Sequence, residues 1–193
     1  MTTVYLARHG QSDWNAEGRW QGNADRPLTD LGRQQAEELA ERLASVPLDA
    51  VYSSDLRRAR ETAEPVAARQ GLEVQTRTEL REVDVGSWSG LSRPEVEERF
   101  PDAFARWLDG GHGWDDGESY EAMTDRVVAA VHEIALAHPD GTVLVVAHGG
   151  PIRALHAVAL GLDIAEHRRL KPVAVNAKLS RLSVDDGRVA VER

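Results

Sequence analysis

The sequence predicts an α/β fold, a three-layer α/β/α sandwich around a mainly parallel central sheet. Two observations carry that prediction. Short runs of strand-forming residues alternate with longer stretches of helical periodicity for most of the chain, the pattern of strands joined by crossover helices. One of those runs, Thr142-Val-Leu-Val-Val-Ala147, is continuously apolar, as expected of a strand covered on both faces. The 193 residues contain no internal repeat, low-complexity tract or linker, so a single domain over 1–193 is expected.

The elements follow in order. Thr3-Val-Tyr-Leu-Ala7 reads as the first strand and ends abruptly at Arg8-His9-Gly10. Thr29-Asp30 opens a helix whose Ala36, Leu39, Ala40 and Leu43 share one face, and Pro47 stops it. Asp49–Tyr52 is a second strand, and Ser53-Ser54-Asp55 offers N-caps for a helix running to about Gln70, with Gly71 as its stop. Extended structure is expected from Glu73 to Val85. The capping box Ser92-Arg-Pro-Glu95 starts a short helix. Gly110–Gly117, with four glycines in eight residues, is a loop. A long helix from Ser119 to His138 leads through the turn Pro139-Asp-Gly141 into the Thr142–Ala147 strand, and another helix begins near Pro151. Lys178–Val184 and Arg188–Glu192, joined by Asp185-Asp-Gly187, form a hairpin.

Composition excludes several roles. With 23 Lys+Arg against 32 Asp+Glu the net charge is −9, a poor match for nucleic acid, whose phosphates require clustered cations. No apolar run approaches the about 20 residues needed to span a bilayer, and Arg8 and His9 arrive before any segment of signal-peptide length. Cysteine is absent, which removes disulfides and thiolate chemistry and fits a reducing compartment. A soluble, cytoplasmic protein without nucleic-acid or membrane partners is expected; oligomeric state is left open, a homodimer included.

Ligands of open parallel sheets bind beyond the carboxyl ends of the strands. Three of the expected strands end there in polar turns: Arg8-His9-Gly10, Ser53-Ser-Asp55 and His148-Gly149-Gly150. Arg57, Arg58 and Arg60 follow the second turn closely. Two histidines and at least one arginine therefore converge on one rim. A single histidine in a turn is ordinarily a surface residue, but two His-Gly turns directly after apolar strands are harder to dismiss. Other chemistries fail on spacing. Gly86-Ser-Trp-Ser-Gly90 has Trp88 where a nucleophile elbow needs serine. His132-Glu133 is followed by His138 rather than by a histidine one helical turn on, so no zinc motif forms. Neither a P-loop nor a dinucleotide fingerprint is present. The rim that remains is a nitrogen-rich anion site suited to phosphate, with a histidine as the candidate covalent nucleophile.

Leu6-Ala-Arg-His-Gly-Gln-Ser-Asp-Trp-Asn15 resembles the N-terminal signature of the histidine phosphatase superfamily, which includes the cofactor-dependent phosphoglycerate mutases. The resemblance continues through Gln21-Gly22, Pro27–Arg33, Ser53–Ala63, Leu80-Arg-Glu82 with Gly86–Gly90, and Ala147–Gly150, in family order. It implies a phosphoglycerate mutase-like fold, His9 as the nucleophile that becomes a phosphohistidine, Arg8, Arg58 and His148 around the phosphoryl group, and Glu82 as the acid/base carboxylate. Spacing alone leaves Glu79, Glu82 and Asp84 equivalent. Asn15, Gln21 and Gly22 would line the entrance for a small phosphorylated substrate, and Gly149 could donate an amide to phosphate. Neither a metal nor another cofactor is implied.

Mutases of the family resemble Glu-x-x-Tyr after the acid/base residue, whereas Val85 stands in that place here. They also carry paired arginines on an insertion, against which residues 101–117 offer only Arg106. A phosphatase is the expectation, with a mutase and a non-catalytic phosphate-binding module as alternatives. Trp14, Trp20, Trp88 and Trp114 read mainly as core filling, and His167-Arg-Arg-Leu-Lys171 as a solvated helix end.

Overall fold

The computed structural model describes residues 1–170, 174–185 and 187–192. One six-stranded sheet organises them: β1 (Thr2–Arg8), β2 (Ala50–Ser54), β3 (Val74–Arg77), β4 (Thr142–Ala147), β5 (Leu179–Asp185) and β6 (Arg188–Val191), in the order β3-β2-β4-β1-β5-β6. The pairs β3/β2, β2/β4 and β4/β1 are parallel, while β5 and β6 add antiparallel at one edge. Among the described residues eight helices join the strands: α1 (Asp13–Ala16), α2 (Asp30–Leu43), α3 (Arg57–Gln70), α4 (Arg93–Arg99), α5 (Pro101–Leu108), α6 (Tyr120–Ala137), α7 (Gly149–Ala159) and α8 (Ile164–Leu170).

Alternation along the strands sends side chains to two cores. Ala7, Val51, Leu144 and Val146 pack with Leu39, Ala40 and Leu43 of α2 and with Ala63 and Val66 of α3. On the opposite face, Val4, Leu6, Val143 and Val145 pack with Val127, Val131 and Ile134 of α6 and with Ile152 and Leu155 of α7. The consequence for the site is topological. β1 and β4 are neighbours, yet the chain leaves β1 toward the α2 face and leaves β4 toward the α7 face. A crevice must open between their carboxyl ends, where the turns after β1 and β4 sit.

The expected strands, the α2, α4 and α6 helices and the hairpin are present; Asp186 of its turn lies outside the described residues. Several expectations need correction. Ser53 and Ser54 belong to β2, and the residue before α3 is Leu56, which offers no side-chain cap; Ser54 Oγ instead accepts from the Leu56 amide at 3.3 Å. Asp55 is diverted into a carboxylate–guanidinium pair with Arg81. The stretch from Glu73 is extended only to Arg77, then turns through single 3₁₀ turns at Thr78–Leu80 and Gly86–Trp88. α2 ends at Leu43, ahead of Pro47, and α7 begins at Gly149 rather than Pro151. In the segment read as a solvated helix end, His167 is buried and Arg168 donates to the carbonyls of Trp107, Gly110 and Gly111. Lys171 lies outside the described residues. Helix α1 is too short, and α5 too tightly joined to α4, to show as separate periodic segments.

The start of α2 is pressed against the turn after β1. A Cβ on Gly10 would stand 2.5 Å from the Gly32 carbonyl oxygen, and one on Gly32 would stand 2.1 Å from that of Gln11. These are backbone contacts with no flexible end to yield. Gly32→Ala should therefore destabilise the protein by about 1–3 kcal/mol through overpacking, despite alanine's better helix propensity. A fall in Tm of roughly 3–10 °C by calorimetry checks it; an unchanged Tm would mean that the contact relaxes freely.

Candidate active site

His9 follows β1 directly, and its amide continues the ladder to the Ala147 carbonyl at 3.0 Å. Its Nδ1 lies 2.7 Å from the Gly10 carbonyl oxygen. A carbonyl can only accept, so Nδ1 carries the proton and Nε2 holds the lone pair. His148, the residue before α7, brings its ring to 5.0 Å from that of His9, centroid to centroid, tilted by 57°. Both rings are buried. Burial pushes both imidazoles well below their ordinary pKa, and the neighbouring Arg58 and Arg8 push them further. Neither nitrogen of His148 has a hydrogen-bond partner among the described residues.

Arg58 is 1% exposed. It donates from Nη1 to the Ala24 carbonyl at 2.7 Å and from Nη2 to that of Gly22 at 2.9 Å. Burial lowers its pKa to about 10, against the opposing pull of Glu82 and Asp25. Arg8, half-buried at the end of β1, donates from Nη1 to the Ala174 carbonyl at 2.5 Å and is lowered by burial too. Arg57 and Arg60 are exposed, Arg57 pairing with Glu61 at 2.5 Å. The three arginines that the sequence left equivalent are thus separated by burial.

The three acids separate as well. Glu79 is exposed, and Asp84 accepts from the Gly86 amide at 3.0 Å. Glu82 lines the same cavity as His9, Arg8 and Arg58, a space of about 310 Å³. Its Oε1 accepts from the Gly150 amide at 2.9 Å and from Val83 at 3.0 Å. Gly150 is a requirement of that contact, since a Cβ there would stand 2.3 Å from Glu82 Oε1. Arg126 on α6 holds the backbone behind the carboxylate, donating to the carbonyls of Glu79, Arg81 and Glu82 while paired bidentately with Glu118 at 2.6 Å.

Asn15, Gln21, Gly22 and Gly149 all line the cavity. Asn15 Oδ1 completes the capping box of α1 and accepts from Asn176, whose Nδ2 also donates to the His9 carbonyl at 3.0 Å. Gln21 Oε1 accepts from Ser12 Oγ at 2.8 Å. Sequence reasoning missed Gly150, Arg126 and Asn176. The paired glycines after His148 were the visible hint of the first; the other two reach the site across long chain separations. Trp88 is core, as expected, and Trp114 is buried in the core but also lines the cavity, together with Trp20 and the unconsidered Trp107. Among the described residues, no cluster of three or more His, Cys, Asp or Glu could hold a metal ion. The arrangement offers a neutral imidazole lone pair, cationic donors and a carboxylate around one small cavity, the components of phosphoryl transfer to nitrogen.

Residues 4–193 match the family model described as the histidine phosphatase superfamily (branch 1). Phosphoserine phosphatase 1 of Hydrogenobacter thermophilus is 38% identical over 86% of this chain and 80% of its own. A glucosyl-3-phosphoglycerate phosphatase of Mycolicibacterium vanbaalenii is 42% identical over 83% of this chain and 75% of its own. Among solved structures, Bacillus stearothermophilus YhfR superposes with a TM-score of 0.93 at 35% identity, covering 99% of this chain and 95% of that one.

Two outcomes follow from this geometry. Gly150→Ala should displace the Glu82 carboxylate and lower kcat roughly 10–100-fold while KM changes little; steady-state kinetics on p-nitrophenyl phosphate read it, and an unchanged kcat would free Glu82 from that contact. The buried imidazoles stay neutral in the fold, whereas the unfolded chain takes up protons near its ordinary histidine pKa of about 6.5. Their contribution to stability is therefore complete above that pH and lost as pH falls below it. Urea midpoints between pH 7.5 and 5 should decline less steeply in His148→Gln than in the native protein.

Proposed function

The chain belongs to the histidine phosphatase superfamily and is a histidine-type phosphatase, and from that premise we propose that it hydrolyses small phosphomonoesters through a phosphohistidine on His9. The observation that carries the reading is the His9 ring, whose proton is committed to the Gly10 carbonyl and whose Nε2 lone pair belongs to a residue lining the cavity. Nε2 attacks phosphorus, the N–P bond forms, and the P–O bond to the leaving group breaks. Glu82 gives its proton to the departing oxygen. Water then enters, Glu82 takes back a proton, and the new P–O bond forms as the N–P bond breaks. Arg8 and Arg58 face the negative charge that spreads over the phosphoryl oxygens in both steps. Their field also keeps His9 unprotonated and so nucleophilic. His148 completes the phosphoryl pocket, and Gly149 adds an amide at the start of α7.

The relatives named for phosphoserine and glucosyl-3-phosphoglycerate support a small phosphorylated metabolite as substrate. A hydrolase is preferred to a mutase because Val85, a buried apolar side chain, forms the wall after Glu82. The chain is read as one catalytic domain whose chemistry takes place in the cytoplasm without a metal.

p-Nitrophenyl phosphate turnover should persist in excess chelator. His9→Ala should lower kcat by roughly 10⁴-fold or more and Glu82→Gln by about 10²–10⁴-fold. Rapid quenching during turnover should trap an acid-labile, base-stable phospho-adduct on residue 9. Turnover by His9→Ala at native rates would overturn the mechanism, and phosphate binding without turnover would favour the binding module.

A further inference from the structure

Arg126 stands on α6, and every donor it owns is spent. A guanidinium has five N–H bonds. Nε and Nη2 of Arg126 take the two oxygens of Glu118, each at 2.6 Å. Nη2 also donates to the Glu82 carbonyl at 3.1 Å, and Nη1 donates to those of Glu79 at 2.7 Å and Arg81 at 2.8 Å. Five donors thus meet five acceptors. The side chain has none left for a substrate, and it does not line the cavity that His9 and Glu82 share.

Three of those acceptors belong to the segment that delivers Glu82. From Thr78 the chain makes one 3₁₀ turn to Leu80 and then runs in neither helix nor strand through Val85, so its carbonyls lack the partners that regular structure supplies. Arg126 takes three of them at once. The other end of the clamp is fixed as firmly. The Glu118 amide donates to the Asp84 carbonyl at 2.9 Å, the Glu118 carbonyl accepts from Trp114 Nε1 at 2.7 Å, and a Cβ on Gly117 would stand 2.3 Å from the Asp84 carbonyl oxygen. On the cavity side, Glu82 Oε1 is taken by the amides of Gly150 and Val83, which leaves Oε2 to carry the proton that the reaction transfers. The carboxyl is set from two sides: α7 meets its head, and α6 holds the backbone from which it springs.

Resting on the reading of Glu82 as the acid and base of this phosphatase, we propose that Arg126 and Glu118 are a positioning pair, which fixes through the backbone the line along which Oε2 meets the leaving oxygen. The proton passes to that oxygen as its bond to phosphorus breaks and the N–P bond to His9 forms, and an acid displaced by about an ångström loses much of its effect there. Arginine is required in that place, because lysine brings three donors to five acceptors.

The test compares p-nitrophenyl phosphate with phenyl phosphate. Both carry the same ring, but the nitro group makes the departing phenolate a far weaker base, so phenyl phosphate depends more on the acid. In a reaction through a covalent intermediate, kcat/KM reports the steps up to departure of the leaving group, and loss of folded enzyme scales both esters alike. Arg126→Met should lower kcat/KM for phenyl phosphate about tenfold more than for p-nitrophenyl phosphate, and Arg126→Lys about threefold more. Glu118→Gln should act in the same direction, and Glu82→Gln should show at least the selectivity of Arg126→Met. In a Glu82→Gln background Arg126→Met should add no further selectivity, since the pair acts only through that carboxyl. Should Arg126→Met not fold, Arg126→Lys and Glu118→Gln decide the matter by the same comparison. Equal losses on the two esters in these variants, or a selectivity that adds to that of Glu82→Gln, overturn the positioning pair and leave Glu82 as the acid. Equal losses in Glu82→Gln itself remove the acid assignment, and the positioning pair with it.

Discussion

A guanidinium almost wholly withdrawn from water is the constraint around which this molecule is arranged. Burying a cation costs several kcal/mol unless its donors are met and opposite charge is near. Arg58 has both in part: the carbonyls of Gly22 and Ala24 take its Nη groups, and Glu82, Asp25 and Asp13 pull against the burial that lowers its pKa. The Nε atoms of Arg58 and Arg8 remain without partners among the described residues. Unsatisfied cationic donors around a small cavity are complementary to an anion with several oxygens, so the cost of folding becomes selectivity for what binds.

The same cations govern the imidazoles. Two histidines at the ends of adjacent parallel strands would, in water, be partly protonated near neutrality. Between Arg8 and Arg58, and away from solvent, both are held neutral. The Gly10 carbonyl then decides which nitrogen of His9 keeps its hydrogen. Backbone geometry after β1 thereby sets the chemistry of a side chain, and the tight Gly10–Gly32 approach holds that geometry fixed.

Much of this was legible in the sequence because its signals are local. A β-branched run followed by a polar turn marks a strand and its carboxyl end, so His9 and His148 could be placed together before any coordinates. Arg58, among three neighbouring arginines, and Glu82, among three neighbouring acids, needed the family resemblance, since burial is decided by elements far along the chain. The N-cap assigned to Ser53–Asp55 failed for a related reason: parallel pairing extended β2 through Ser54, and Arg81 captured Asp55. Arg126, Asn176 and Trp107 gave no local signal at all. Each acts through contacts with residues outside its own element, and half-buried Arg168 likewise depends on the Gly110 and Gly111 carbonyls of the segment after α5.

The helices α4 and α5 add no strand to the sheet and carry none of the groups placed around the phosphorus atom, yet they furnish Arg93 and Trp107 at the opening. The chain therefore keeps its reactive floor and its outer wall on separate stretches. Replacements in the excursion can alter which esters are admitted while the strand ends that hold the two imidazoles stay as they are. Diversification of substrate in such an architecture needs no renegotiation of the chemistry, because the two tasks are written in different parts of the polypeptide.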